Sequence, residues 1–175
     1  MNIFVLDEEP GLAARYHNNI HVVKMITESC QILSTAHIQM GGEKHPELYK
    51  PTHINHPCTR WASANNENFN WLLNLASALV EEYDMRFGKP NKFLEARKIL
   101  ALFEKRNFIN WSAMTPFPIV MPAHYKVDMK YRHWSENAML SYRRYYAEGK
   151  NHLANWGKRG KPDWYNYYEE ASTKS

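Results

Sequence analysis

Apolar residues recur at helical spacing along this chain, and this pattern constrains the fold more than any other feature. Between residues 10 and 37 they fall on one stripe of a helix, as Leu12, Tyr16, Val23, Ile26, Cys30 and Leu33. Acids followed by Pro10 are typical of a helix start, and Gly41-Gly42 of a helix end. The sequence therefore predicts a long first helix over residues 10–37.

The same pattern predicts three further helices. We expect them over residues 61–87, closed by Gly88, over residues 90–105, and over residues 135–149. Together they predict a mainly α fold.

The segments between these helices are predicted from their prolines and glycines. Residues 43–60 carry three prolines and are expected to form a loop, and residues 115–122 are expected to be extended and to pack across the helices. Residues 2–6 form either a short strand or an extended lead-in to the core. The tail, residues 156–168, is expected to be irregular until its last turn.

Length and composition indicate one domain. The 175 residues, 44% apolar and 23% charged, are enough to bury a sizeable core. We therefore predict a compact single-domain helical bundle, residues 1–175, with long proline-containing loops. The start has no basic region or cleavage site of a signal peptide, and no apolar stretch approaches the roughly 20 residues that cross a bilayer. The sequence predicts a cytoplasmic protein without a membrane partner.

The first predicted helix carries a polar constellation. His17, His21, Lys24 and Glu28 stand at i, i+4, i+7 and i+11, which places them on one face. As catalytic residues, Lys24 would be the amine nucleophile, activated by burial beside His21, and the histidines would transfer protons. Glu28, or Asp7, would stabilise a positively charged sugar. The alternative is a solvated helix face.

A metal centre or cofactor is not predicted. Asn18, not Glu, follows the first histidine, so the zinc-protease pattern is absent. Cys30 and Cys58 are isolated and form neither a disulfide framework nor a metal-binding pair.

The proline-stiffened loop and the helix after it carry further candidates. His53, His56 and Arg60 are predicted to bind nucleic acid, since loops on a helical scaffold often hold binding residues. Four asparagines follow, Asn65, Asn66, Asn68 and Asn70. Asn is a poor helix former, so these residues suggest either amide recognition of a base or phosphate, or a frayed first turn.

The C-terminal third concentrates positive charge and aromatic rings. Residues 126–168 hold nine Lys or Arg against four Asp or Glu, which gives +5, while the whole chain carries +4 and its remainder therefore −1. Cations that neutralise phosphates and rings that stack on bases favour a nucleic-acid partner. The predicted contacts are Arg143, Arg144, Lys158, Arg159, Trp164, Tyr165, Tyr167 and Tyr168. The alternative is a solvated helix surface, and the oligomeric state is open.

The tail also carries a resemblance. Lys161-Pro162-Asp163-Trp164-Tyr165-Asn166-Tyr167-Tyr168 resembles the Pro-x-Trp-Tyr-x-Tyr-Tyr ending of the phage pyrimidine-dimer DNA glycosylase/lyases of the endonuclease V type. Weaker similarities are Tyr16-His17, Arg86-Phe87-Gly88, the region of Pro122, and the spacing from Ala138 to Arg143. The opening, with His21-Val22-Val23-Lys24-Met25, is also similar to that of a group of phage-borne proteins without an assigned activity.

The resemblance implies a compact helical fold that grips duplex DNA and flips a nucleotide out. In that family the N-terminal amine of a small second residue attacks the sugar C1′, assisted by a Glu and several Arg of the first helix. Here residue 2 is Asn, and the nearest positions read His17-Asn18. The resemblance therefore assigns DNA contact to Trp164, Tyr165, Tyr167 and Tyr168, and Lys24 becomes the candidate for a relocated amine.

The combined prediction is an enzyme acting on nucleic acid, with DNA favoured over RNA. It would be glycosylase/lyase-like or base-processing, without a cofactor, and would work in the cytoplasm of an infected host cell. The alternatives are a non-catalytic nucleic-acid-binding protein on the same scaffold and a nucleotide-modifying enzyme.

Overall fold

Seven α-helices build the part of the protein that the structure describes. The computed structural model describes residues 1–105, 113–127 and 133–173, with side chains described as far as residue 168. The helices are α1 Pro10–Tyr16, α2 Asn19–Gln39, α3 Pro57–Ala64, α4 Asn66–Phe87, α5 Leu94–Glu104, α6 Trp134–Arg144 and α7 Asp163–Thr173. The described residues contain no β-strand, so the mainly α class is confirmed.

The predicted first helix is two helices. The chain leaves helical geometry at His17 and Asn18, both buried, and re-enters it at Asn19. Asn18 makes the new start possible because its side-chain oxygen accepts the backbone N–H of His21, at 2.8 Å. The prediction of one uninterrupted helix over residues 10–37 is therefore wrong at this break. Its end is confirmed, since α2 stops at Gln39, just before Gly41-Gly42.

The second predicted helix is also divided. The predicted loop ends early because Pro57 opens α3, with the His56 side chain capping it. Asn65 then interrupts the helix and caps α4 by accepting the Asn68 N–H, at 2.9 Å. The end of α4 is as expected, with Gly88 in the left-handed region at φ +63°.

The core lies around α4. Helices α1, α2, α3 and α5 all pack on α4, and α2 also contacts α3 and α5. Residues 2–6 form a buried extended lead-in rather than a strand. The prediction that residues 115–122 pack across the helices is confirmed. The ring of buried Phe117 lies 4.7 Å from that of Trp71 and 5.2 Å from that of Trp61, measured between ring centres.

The C-terminal third wraps the helical body and contacts its beginning. Helix α6 continues into a π-helical turn at Tyr145–Gly149. The tail is more regular than expected, since α7 begins at Asp163, well before the last turn. The Trp156 indole N–H donates to the Tyr16 carbonyl at 2.8 Å, which ties the tail to α1. No helix in the described ranges has the length and apolarity needed to cross a membrane.

Candidate functional site

A half-buried carboxylate forms the centre of the candidate site. Glu28 lies on α2, and its side chain is 16% exposed. Its Oε1 lies 3.5 Å from Lys24 Nζ, while its Oε2 lies 3.7 Å from the α-amino nitrogen of Met1. The same Oε2 accepts the backbone N–H of Asn2 at 3.1 Å. One carboxylate therefore contacts two amines.

The position of Met1 follows from the packing of the residues after it. Ile3 and Phe4 are buried, and the Asn2 amide donates to the carbonyl of Val120 at 3.0 Å. The Tyr142 hydroxyl lies 2.8 Å from Asn2 Oδ1. These contacts fix the backbone at residue 2 and hold the Met1 amine beside Glu28.

His56 is a further titratable group, and the charges of the Met1 amine and of Glu28 act on it. Its Nδ1 accepts the Cys58 backbone N–H at 3.2 Å, so the neutral ring carries its proton on Nε2. Burial lowers the pKa of His56, and the positive charges of the Met1 amine and of His53 lower it further, while Glu28 opposes them. The loop therefore brings His56 near the amine and the carboxylate.

His17 and His21 lie in the core, away from the exposed side of α2. His17 is fully buried, and its Nδ1 lies 2.6 Å from the Ala13 carbonyl. The His21 ring stacks on Phe4 at 4.4 Å, and its Nδ1 lies 2.5 Å from the Tyr146 hydroxyl. The prediction of one shared polar face is therefore wrong, because the break at residues 17–18 turns His17 inward. The catalytic roles of both histidines stay predictions.

The electrostatics of these two rings follow from their burial. Desolvation lowers the pKa of His17 to about 4, against a hydrogen bond to Ala13 that raises it. Desolvation also lowers the pKa of His21 to about 3, and the charges of His17 and Lys150 act in the same direction. Both rings are neutral at physiological pH.

Lys24 differs from its sequence-based description. Its side chain is 60% exposed, so the burial beside His21 that was expected to activate it is absent. Its position nevertheless agrees with the prediction that it shares a helix face with Glu28, since the two side chains stand one turn apart and lie 3.5 Å from each other.

The predicted nucleic-acid contacts divide into structural and exposed residues. Arg143 is structural: it donates to the Leu6 carbonyl at 2.8 Å, pairs with Asp7 at 2.9 Å, and lies 5.3 Å from the centre of the Trp164 ring. Arg159 binds the carboxylate of buried Glu82.

The remaining predicted contacts lie in the loop, at the end of α6 and in the tail, and they differ in exposure. His53, Arg60, Lys158 and Tyr167 are exposed, and Arg144 forms a surface pair with Glu148 at 3.1 Å. Tyr165 is buried, while His56, Trp164 and Tyr168 are half-buried.

The asparagines after Arg60 have structural partners. Asn65 is a helix cap, and Asn68 is buried, with its amide donating to the Trp61 carbonyl at 2.8 Å and to the Thr115 hydroxyl at 2.7 Å. Neither base recognition nor a frayed turn describes these two residues.

Sequence reasoning missed two parts of the site region. The first is the Met1 amine beside Glu28, which depends on contacts between residues more than a hundred positions apart, such as Asn2 with Val120. The second is the ion pair of Glu82 with Arg86, at 2.8 Å. A signal for this pair existed, because opposite charges stand at i and i+4 within an apolar stripe of α4.

Comparisons with known proteins add no identification. No protein family, no curated protein and no solved structure matches this chain. The resemblance to the endonuclease V type therefore stays a prediction. Among the described residues, no group of three or more His, Cys, Asp or Glu side chains is arranged to hold a metal ion.

Proposed function

We propose that the chain is a nucleic-acid-acting enzyme of the glycosylase/lyase kind, in which an amine beside Glu28 attacks C1′ of a damaged or base-free sugar. The observation that carries this proposal is the contact of one half-buried carboxylate with two amines, Lys24 Nζ at 3.5 Å and Met1 Nα at 3.7 Å. A carboxylate beside an amine can accept a proton from it and stabilise the cationic imine that forms afterwards.

The proposed reaction assigns a task to each group. The amine nitrogen forms a bond to the C1′ carbonyl carbon of an open-chain sugar, and loss of water gives an imine. Removal of a proton from C2′ then breaks the bond from C3′ to its phosphate oxygen. Glu28 would take up the proton of the attacking amine and stabilise the cationic imine, and His56 is the nearby group that can exchange protons.

Borohydride trapping tests the proposal. We expect reduction to fix a covalent adduct between the protein and duplex DNA that carries an abasic site. Peptide mapping then identifies the amine: an adduct at Lys24 that vanishes in Lys24→Gln supports the relocated amine, and an adduct at Met1 supports the N-terminal amine. Lys89→Gln, which removes an exposed cation after α4, is the matched control. Absence of any adduct with the wild-type protein would refute the proposal.

Glu28→Gln tests the carboxylate separately. The substitution keeps the shape of the side chain but removes proton acceptance, so the trapping rate should fall by roughly 10²- to 10⁴-fold. Glu81→Gln, on the exposed side of α4, should trap at the wild-type rate. Equal rates for Glu28→Gln and Glu81→Gln would remove Glu28 from the mechanism.

A non-catalytic nucleic-acid-binding protein is the second candidate. The burial of His17 and His21 favours it, because two of the expected catalytic groups are packed in the core. In that case the protein would bind duplex DNA at low salt and give no adduct and no strand cleavage.

A further inference from the structure

A small basic cleft lies between the end of α1 and the start of α7, separate from Glu28. Its volume is about 210 Å³. It is lined by Arg15, Tyr16, Arg159, Gly160, Lys161, Pro162 and Asp163. Three of these side chains are cationic and one is acidic, so the lining is positively charged.

The charges behind the cleft leave this excess unchanged, because Arg86 and Glu82 cancel. Buried Glu82 accepts from Arg86 Nε at 2.8 Å and also binds Arg159, so two guanidinium groups share one carboxylate. Arg86 is itself buried, and its remaining nitrogens donate to the carbonyls of Arg15, at 2.8 Å, and His17, at 2.7 Å. In the described part of the chain, Arg86 and Arg159 therefore have only this one carboxylate between them, in surroundings where charge interacts more strongly than in water.

Arg15 is the cation at the rim of the cleft. It is exposed, and within the described ranges its side chain pairs with no carboxylate. Helix α7 has eleven residues, and by the geometry of a helix start the backbone N–H groups of Asp163 and Trp164 lack intrahelical partners, whereas the Tyr165 N–H donates to the Pro162 carbonyl at 2.9 Å. The Asp163 carboxylate offsets part of the positive charge of the lining but not all of it.

We propose that this cleft binds a phosphate group. Pockets for whole drug-sized ligands begin at roughly 300 Å³, so the cleft suits a phosphate better than a complete nucleotide. Guanidinium groups bind phosphate oxygens through charged hydrogen bonds, which Arg15 can supply in pairs. Arg159 already donates from Nε and Nη2 to Glu82 and Met85 and can add only Nη1.

The proposed function supplies one source for this phosphate. Asn19 accepts from Arg86 at 3.2 Å, and Arg86 also donates to the Arg15 carbonyl, so the first residue of α2 shares a partner with a lining residue of the cleft. Glu28 lies nine residues further along α2, or ~14 Å at 1.5 Å of rise per residue. We assign the phosphate to a nucleic-acid backbone whose reacting sugar lies at Glu28. This assignment of the source rests on the proposed function, whereas the phosphate site itself does not.

Titration with inorganic pyrophosphate tests the site without DNA. Calorimetry at low ionic strength compares the full wild-type chain with Arg15→Gln and with the control Lys89→Gln. Arg15→Gln should bind about tenfold more weakly, as expected for one lost charged hydrogen bond, while Lys89→Gln should match the wild type. Thermal unfolding checks that both variants are folded. Equal affinity in all three proteins, or no binding by the wild type, would overturn the proposal.

A second titration identifies the source of the phosphate. With undamaged duplex DNA, Arg15→Gln should flatten the slope of log K against log salt concentration by roughly 0.9. An unchanged slope together with weaker pyrophosphate binding would overturn the strand assignment and point to a free phosphate compound. Neither titration requires catalysis, so failure of borohydride trapping would refute the proposed function and leave the phosphate site standing.

Discussion

His17 and His21 are the residues whose surroundings differ most from what their spacing suggests. Each is a polar ring packed among apolar and aromatic side chains, and His17 Nε2 is buried without a hydrogen-bond partner. Both pKa values are lowered by burial, to about 4 for His17 and about 3 for His21. Below pH 6.5 the unfolded chain therefore binds a proton on each of these rings, whereas the folded protein does so only at lower pH.

Acid should consequently destabilise the fold. Stability should be nearly constant above pH 6.5 and fall as the pH drops from 6.5 towards 4, by about 1.4 kcal/mol per pH unit for each histidine. Urea unfolding of the wild type and of His21→Asn, between pH 7.5 and 4.5, measures this dependence. The variant, which keeps a hydrogen-bonding group for the Tyr146 hydroxyl, should show a shallower slope. Identical slopes would show that His21 does not carry this effect.

The sequence predicted the placement of Lys24 relative to Glu28 better than it predicted the placement of the two histidines. The spacing of these two residues alone is enough to pair them on one exposed turn of α2. The direction of His17 depends instead on a change of backbone geometry at one position, with φ −62° and ψ 136°. Hydrophobic periodicity does not report such a change, because the apolar stripe continues on both sides of it.

At the scale of the helices, capping asparagines decide where elements begin. Asn18 and Asn65 each accept a backbone N–H three residues ahead, and each starts a new helix inside a stretch that reads as continuous. The capping signal was present in the sequence, but it competed with an apolar pattern that also fits one long helix. Existence and type of the helices before the tail were therefore predictable, while their divisions and the start of α7 were not.

Replacing Asn68 tests how much one buried amide that joins neighbouring elements contributes to the free energy of unfolding. It connects α3 and α4 to the extended segment by donating to the Trp61 carbonyl and accepting the Thr115 N–H, at 2.8 and 3.0 Å. Asn68→Ala leaves both backbone groups unpaired and should lower the free energy of unfolding by about 3 kcal/mol in urea titrations. Exposed Asn74→Ala should change it by less than about 0.5 kcal/mol. A similar small effect at Asn68 would contradict the assigned role.

At the scale of the whole molecule, side chains of the C-terminal third pack against the beginning of the chain. Arg143 contacts Leu6 and Asp7 and lies 5.5 Å from the Tyr16 ring. Charge and aromatic content alone could not separate this role from nucleic-acid binding, since both use the same side chains.

Two neighbouring arginines distinguish these roles. Arg143→Gln should lower the free energy of unfolding by about 2–3 kcal/mol, because it leaves Asp7 and the Leu6 carbonyl without their partner. Arg144→Gln removes only a surface pair with Glu148 and should change it by about 0.5 kcal/mol or less. Urea unfolding of the two variants measures the difference. Equal free energies of unfolding would show that the contacts of Arg143 contribute no more than a surface pair. That result would support the prediction that Arg143 contacts phosphate.

The long separation between partners has a consequence for how the protein is made. Asn2 meets Tyr142 across 140 positions, and Glu8 accepts from Ser135 across 127. Before residues 135–142 have been added, the N-terminal segment therefore lacks these two contacts, although the Asn2 N–H can already bond to Glu28 and the Glu8 carbonyl can already accept from the Trp71 indole. Nascent chains released before α6 should hold residues 2 and 8 less firmly than the full chain does.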